Sequence, residues 1–251
     1  MDLDTFVSGQ VFGVLLVFAR IGSALLFMPG FGDSAVLPRG RLAFALALCI
    51  ALAPATPVPP LVPDSPVMMV RLIATETLIG LWIGLTARIL LSALHFAGYQ
   101  AGYAAGLANA FAPSIGSFEG ATSVASFLLV SATALIFITD THHVMLRALL
   151  YSYDVFPFGL ILIGDLADQM ARAVSGSLYI GLGLAAPFFV MGLLLNLGLG
   201  LANRMMPTLP VFFVAGSALI AAGILVLAFA APSMLRAFLS ALTDWFSTFT
   251  I

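Results

Sequence analysis

Three places in the chain hold residue types that could do chemistry. Glu76 stands inside an apolar stretch, where an ionised carboxylate near a bilayer centre costs roughly 2.5 to 3.5 kcal/mol or more. Such a group must pair with a cation, face a protein interior or pass protons. One carboxylate is not a relay, and Arg20 or Arg71 offers it a partner. Thr139-Asp140-Thr141-His142-His143 sets an acid beside two imidazoles. Neighbouring helical residues point about 100° apart and His95 is the only other histidine, so the spacing favours no metal site. A hydrolase using Asp140, His142 and a nearby serine would need a strand-turn-helix elbow, and no Gly-x-Ser-x-Gly occurs. Cys49 is the single cysteine and reads as a small buried hydrophobe. A phosphate-binding Gly-x-x-x-x-Gly-Lys-Ser/Thr loop is absent, as is any lysine. The expectation is a protein without catalytic residues, metal or cofactor.

What must position these groups is an apolar chain. Of 251 residues, 62% are hydrophobic and 8% charged, against roughly 45 to 50% and about 25% in soluble domains. Twenty charges cannot cover a water-facing surface of this size, which excludes a soluble enzyme. Without a basic run, and at a formal net charge of -2, nucleic acid is excluded as a partner. The acidic opening Met1-Asp2-Leu3-Asp4 and a long apolar stretch carrying Arg20 predict an uncleaved first membrane segment.

A spanning helix needs about 20 apolar residues, and about six stretches compete for that role. The first runs from Val7 to Met28 and ends in a Pro29-Gly30-Phe31-Gly32-Asp33 turn. Leu42 to Ala53 is short, and the six prolines between Pro54 and Pro66 predict an extended, semi-rigid connector. Val70 to Leu94 continues into Gly98, Gly102 and Gly106, four apart on one face. With Gly80 and Gly84 these let another helix approach closely. Residues Asn109 to Thr122 form an apolar loop with Phe111, Ile115 and Phe118 between Pro113, Gly116 and Gly120, and such a loop needs a dry place to sit.

Ser123 to Ile138 and Val144 to Ile163 follow, the latter interrupted by Arg147, Asp154 and Pro157. Next come a polar patch from Gly164 to Arg172 and a long run from Ala173 to Ala202, in which Pro187 predicts a kink. The last helix, Val211 to Ala231, leads into an amphipathic tail. Trp82, Tyr99 and Tyr103 are expected in an interfacial belt or in core packing. Arg39, Arg41, Arg88 and Arg204 fall at one end of the segments and Arg71, Arg147, Arg172 and Arg236 at the other, so the positive-inside rule gives no orientation. The fold class is an all-α integral membrane or membrane-associated protein of kinked helical hairpins.

Four patterns, in order along nearly the whole chain, resemble the flagellar biosynthetic R protein family and its T-class counterpart in virulence secretion. They are Phe18-Ala19-Arg20-Ile21 with Pro29, Arg39 and Arg41; Glu76 to Gly84 with Gly98 to Gly106; Phe137 to His143 with Ser152 to Pro157; and Ala186-Pro187 before Asn203-Arg204-Met205-Met206-Pro207. The chain departs from the family at Thr208, Leu209 and Pro210, and at Asp140, where glycine is common. The resemblance implies a type III protein-export gate subunit in the bacterial inner membrane, at the base of a flagellar or injectisome basal body. It implies P and Q subunits, the B-class export switch protein, membrane lipid and unfolded protein substrates as partners. It also implies a P-like part over 1-170, a Q-like hairpin over 171-251, buried charges at Arg20, Glu76 and Arg204, and a hydrophobic plug in the 109-122 loop. The competing reading is a small-solute permease with a midplane carboxylate.

Overall fold

The computed structural model describes residues 3–33, 36–56, 62–105, 123–159, 163–205 and 211–247, with the side chains of 3–6 and 211–215 left aside. Helices dominate, and no strand occurs among the described residues. They are α1 (Leu3–Phe27), α2 (Pro38–Leu52) closed by a 3₁₀ turn Ala53–Ala55, α3 (Pro66–Ala104), α4 (Ser123–Ile138), α5 (Thr141–Val155), α6 (Ile163–Met205) and α7 (Val211–Ser247). Five helices are long and apolar enough to cross a membrane, six if the bent pair α4 and α5 counts as one. The chain is an all-α membrane protein.

Three elements are longer than the residue patterns predict. α2 begins at Pro38, because a proline at a helix start gives up no hydrogen bond, and so it takes in Arg39 and Arg41. The polar patch from Gly164 and the apolar run after it form one helix of 43 residues that passes through Pro187. The i, i+4 pair of Asp168 with Arg172 supports that join. The tail likewise continues α7 through Pro232 to Ser247. Cys49 is buried as a small hydrophobe would be.

Two compact units interleave along the chain: Met1–Ile89, Ile136–Val174 and Leu242–Ile251 in one, Leu90–Leu135 and Ser175–Ala241 in the other. Within the first, Phe12, Leu16 and Leu72 form a core cluster with Met69, Ile73 and Phe158 against it. Its turn after α1 is tied by Asp33, whose carboxylate takes Arg88 at 2.7 Å and the Gly30 N–H at 3.1 Å. Arg41 donates to the carbonyls of Phe31 and Asp33, both at 2.8 Å. Arg41 and Arg88, placed at one end by sequence, thus meet at one turn. In the second unit, Ser92 and Ser177 hydroxyls lie 3.4 Å apart, and α6 and α7 leave Leu193, Leu194, Leu197, Leu201, Ile224 and Phe229 exposed.

Candidate functional site

Arg20, at the middle of α1, is wholly buried. A buried guanidinium must use its donors or destabilise the chain, and here α3 and α5 supply the acceptors. Its Nε donates to Glu76 Oε2 at 2.7 Å, with both side chains at 0% exposure. Of the two arginines within the sequence's offer, Arg20 is therefore the one that holds Glu76. One terminal nitrogen donates to the Ser152 carbonyl at 2.8 Å and to its hydroxyl at 3.2 Å. The other donates to the Phe156 carbonyl at 2.9 Å.

The backbone acceptors have a common origin. Both lie at the C-terminal end of α5, which closes at Val155 with the Phe156 N–H bonded to the Ser152 carbonyl, and the last turn of a helix carries the negative end of its dipole. Arg20 caps that end while it neutralises Glu76. The Tyr153 ring lies beneath the guanidinium, 4.0 Å from Cζ to the centroid, adding a cation–π contact. Arginine suits this place because its planar fork serves several acceptors at once, which the compact ammonium of lysine cannot. The node joins three helices through a desolvated charge pair. Glu76 Oε1 and the Tyr153 hydroxyl have no hydrogen-bond partner among the described residues.

Glycines bring the backbones close enough for this. A Cβ built at Gly80 would overlap the Arg20 carbonyl and the Ser23 hydroxyl, and one at Gly84 would overlap the Ala24 carbonyl. In the other unit, a Cβ at Gly98 would run into the backbone of Ala125 on α4. Gly102 is buried. Gly106 and the loop residues Phe111, Pro113, Ile115, Gly116, Phe118 and Gly120 lie outside the described residues.

Other sequence-chosen residues fall differently. Arg204, grouped with the buried charges, is exposed in the last turn of α6, where no described residue encloses its guanidinium. Trp82 belongs to the core, its Nε1 donating to the Leu166 carbonyl at 3.0 Å and its ring meeting Phe156 edge-on. Tyr99 and Tyr103 are exposed. Sequence reasoning missed Tyr153 as the platform for Arg20, although it lies inside the Ser152 to Pro157 run. It also missed Gly181 and Gly223, whose missing Cβ atoms admit Ala93 of α3 and Ala105 just beyond its end. Their signal was a small residue facing another small residue across helices.

The charge pair, locked between glycine-spaced helices, holds apolar helices in one arrangement. Comparisons with known proteins show which family such a chain is similar to. Residues 11–245 match the family of bacterial export proteins, family 1. The chain is 38% identical over 224 residues to the flagellar biosynthetic protein FliR of Caulobacter vibrioides, covering 87% of this chain and 88% of that one. It is 31% identical to the FliR protein of Escherichia coli, over 87% of this chain and 82% of the relative. With that of Pectobacterium carotovorum it shares 30% identity, over 86% and 82%. A match that spans residues 11–245 means that the chain belongs to the bacterial export proteins, family 1.

Proposed function

We propose that the chain is a subunit of the type III, flagellar, protein-export gate of the bacterial inner membrane. With P and Q subunits it forms a closed helical channel for unfolded export substrates, beside the B-class export switch protein. The family match across residues 11–245 carries this reading. Two physical features support it. The exposed leucines of α6 need lipid or protein against them, as a helix built for a multi-subunit wall does. Glu76 is already engaged by Arg20, which takes from the permease alternative its free midplane carboxylate.

In this reading residues 1-170 are the P-like part, 171-251 the Q-like hairpin, and no step is catalytic. The channel must stay shut to ions yet open to a polypeptide, which an apolar constriction achieves by excluding water. Phe111, Ile115 and Phe118 fill the lumen, and Pro113, Gly116 and Gly120 let the loop be displaced by an arriving substrate. The test replaces Phe111, Ile115 and Phe118 by Ser and follows membrane potential and growth in cells that carry the assembled complex. The wetted lumen is expected to leak ions, while assembly survives, because a pore-facing loop would contribute little to contacts between helices. A fully assembled triple variant that leaks no more than the parent would sink the plug.

A further inference from the structure

Adjacent histidines on a helix diverge at their Cβ atoms, yet in this chain their rings come together. His142 and His143 open α5, and their ring centroids are 4.1 Å apart at an interplanar angle of 37°. His143 Nδ1 lies 3.4 Å from Asp140 Oδ1, with those side chains 61% and 77% exposed. One ligand atom from each of Asp140, His142 and His143 falls within 4.8 Å of the others. We propose that Asp140, His142 and His143 form a surface binding site for a borderline divalent cation of the zinc class, at the turn between α4 and α5.

The surroundings prepare two of the three ligands. His142 Nδ1 is 3.4 Å from the Ile136 carbonyl, which can only accept, so this contact favours the tautomer with its proton on Nδ1 and keeps the Nε2 lone pair for an ion. The Phe137 ring, 5.2 Å from the His142 centroid, holds that imidazole from the side, and Phe31 packs edge-on behind Phe137. Asp140 is the N-cap residue of α5 but its carboxylate makes no cap hydrogen bond, so it faces His143 rather than the backbone. Two imidazoles and a carboxylate are the donors that zinc and its neighbours prefer, with water in the fourth position. Tetrahedral ligand atoms lie roughly 3.3 Å apart, so the exposed rings need only a small rotation to close on an ion. The positive end of the α5 dipole opposes a cation, lowering affinity by a factor of roughly two to five. A bound ion would join the turn to the first turn of α5 and stiffen the break between the two helices.

The test uses the full chain, solubilised in mild detergent with the subunits it co-purifies with and carrying a tag without histidine. Cobalt(II) serves as a visible-absorbance probe and zinc(II) as its competitor. One cobalt per chain is expected, displaced by zinc. Since losing a supporting group costs a metal site about 10- to 100-fold, His143→Ala and Asp140→Gly should each weaken cobalt binding at least about tenfold. Asp140→Gly keeps the turn, because Asp140 holds a φ of 56° that glycine adopts without strain. His95→Ala should bind like the parent. Binding by the parent no tighter than by the His142→Ala, His143→Ala double variant would overturn the site, as would an equal loss in His95→Ala.

Discussion

Glu76→Gln is expected to destabilise the chain by about 3 to 5 kcal/mol, the loss that follows when one partner of a buried ion pair is removed. The amide keeps the shape and can still accept from Arg20 Nε, so packing hardly changes. What is lost is the counter-charge that, among the described residues, a guanidinium at 0% exposure has in Glu76, which leaves it the neutral acceptors of Ser152 and Phe156. Arg20→Lys should fare little better, since an ammonium cannot reach the Glu76 carboxylate and both α5 carbonyls together. The Arg20→Met, Glu76→Met double variant should recover much of the loss, because it buries no orphan charge. Thermal unfolding in detergent reads the stability, and yield of assembled complex reads its consequence, which should fall in parallel with export. Normal stability and assembly in Glu76→Gln, with loss only of proton-gradient-dependent export, would make Glu76 a proton carrier instead.

Gly80→Leu should have the second large effect. The side chain would begin inside the Arg20 carbonyl and the Ser23 hydroxyl, and backbone cannot step aside as a rotamer can. α1 and α3 must separate, which breaks the Arg20 to Glu76 contact a single turn of α3 away. Overpacking a core costs about 1 to 3 kcal/mol and sometimes more, and added to the broken pair it should leave almost no folded chain in the membrane. Gly164→Ala supplies the contrast, since a Cβ at Gly164 meets nothing within 4 Å. Helix propensity favours alanine there by about 0.5 to 1 kcal/mol. Protease resistance of the solubilised chain distinguishes the two, and equal resistance would mean that the α1 to α3 approach is looser than drawn here.

The residues read most clearly in the sequence are those whose environment is set by local pattern. α4 runs from Ser123 to Ile138 as its unbroken apolar stretch predicts, and Gly80, Gly84 and Gly98 of α3 sit against other backbones, where a Cβ would not fit. Glu76 announced its need of a cation, and choosing Arg20 over Arg71 required only the fold. Lengths were harder to read. The polar patch from Gly164 joins the apolar run after it in one helix, and the tail continues α7 through Pro232, because packing and lipid support helices that propensity in water would end.

The aromatic residues and histidines illustrate the other difficulty. Trp82 and Tyr99 look alike in sequence, but Trp82 finds the Leu166 carbonyl and is buried, while Tyr99 is exposed. The meeting of His142 and His143 depends on side-chain rotation about the turn at Asp140, which a helical projection of Cβ atoms does not contain. Tyr153 and Gly223 owe their places to residues far away in the chain, and no local spacing encodes that.

Whether this chain is one subunit of a larger export assembly is tested most directly by affinity purification of a tagged copy from its own membranes. In mild detergent the tagged chain is predicted to bring P and Q subunits with it in fixed proportion, and to aggregate or be degraded when produced without them. Recovery of a monodisperse, protease-resistant monomer with neither subunit attached would contradict it.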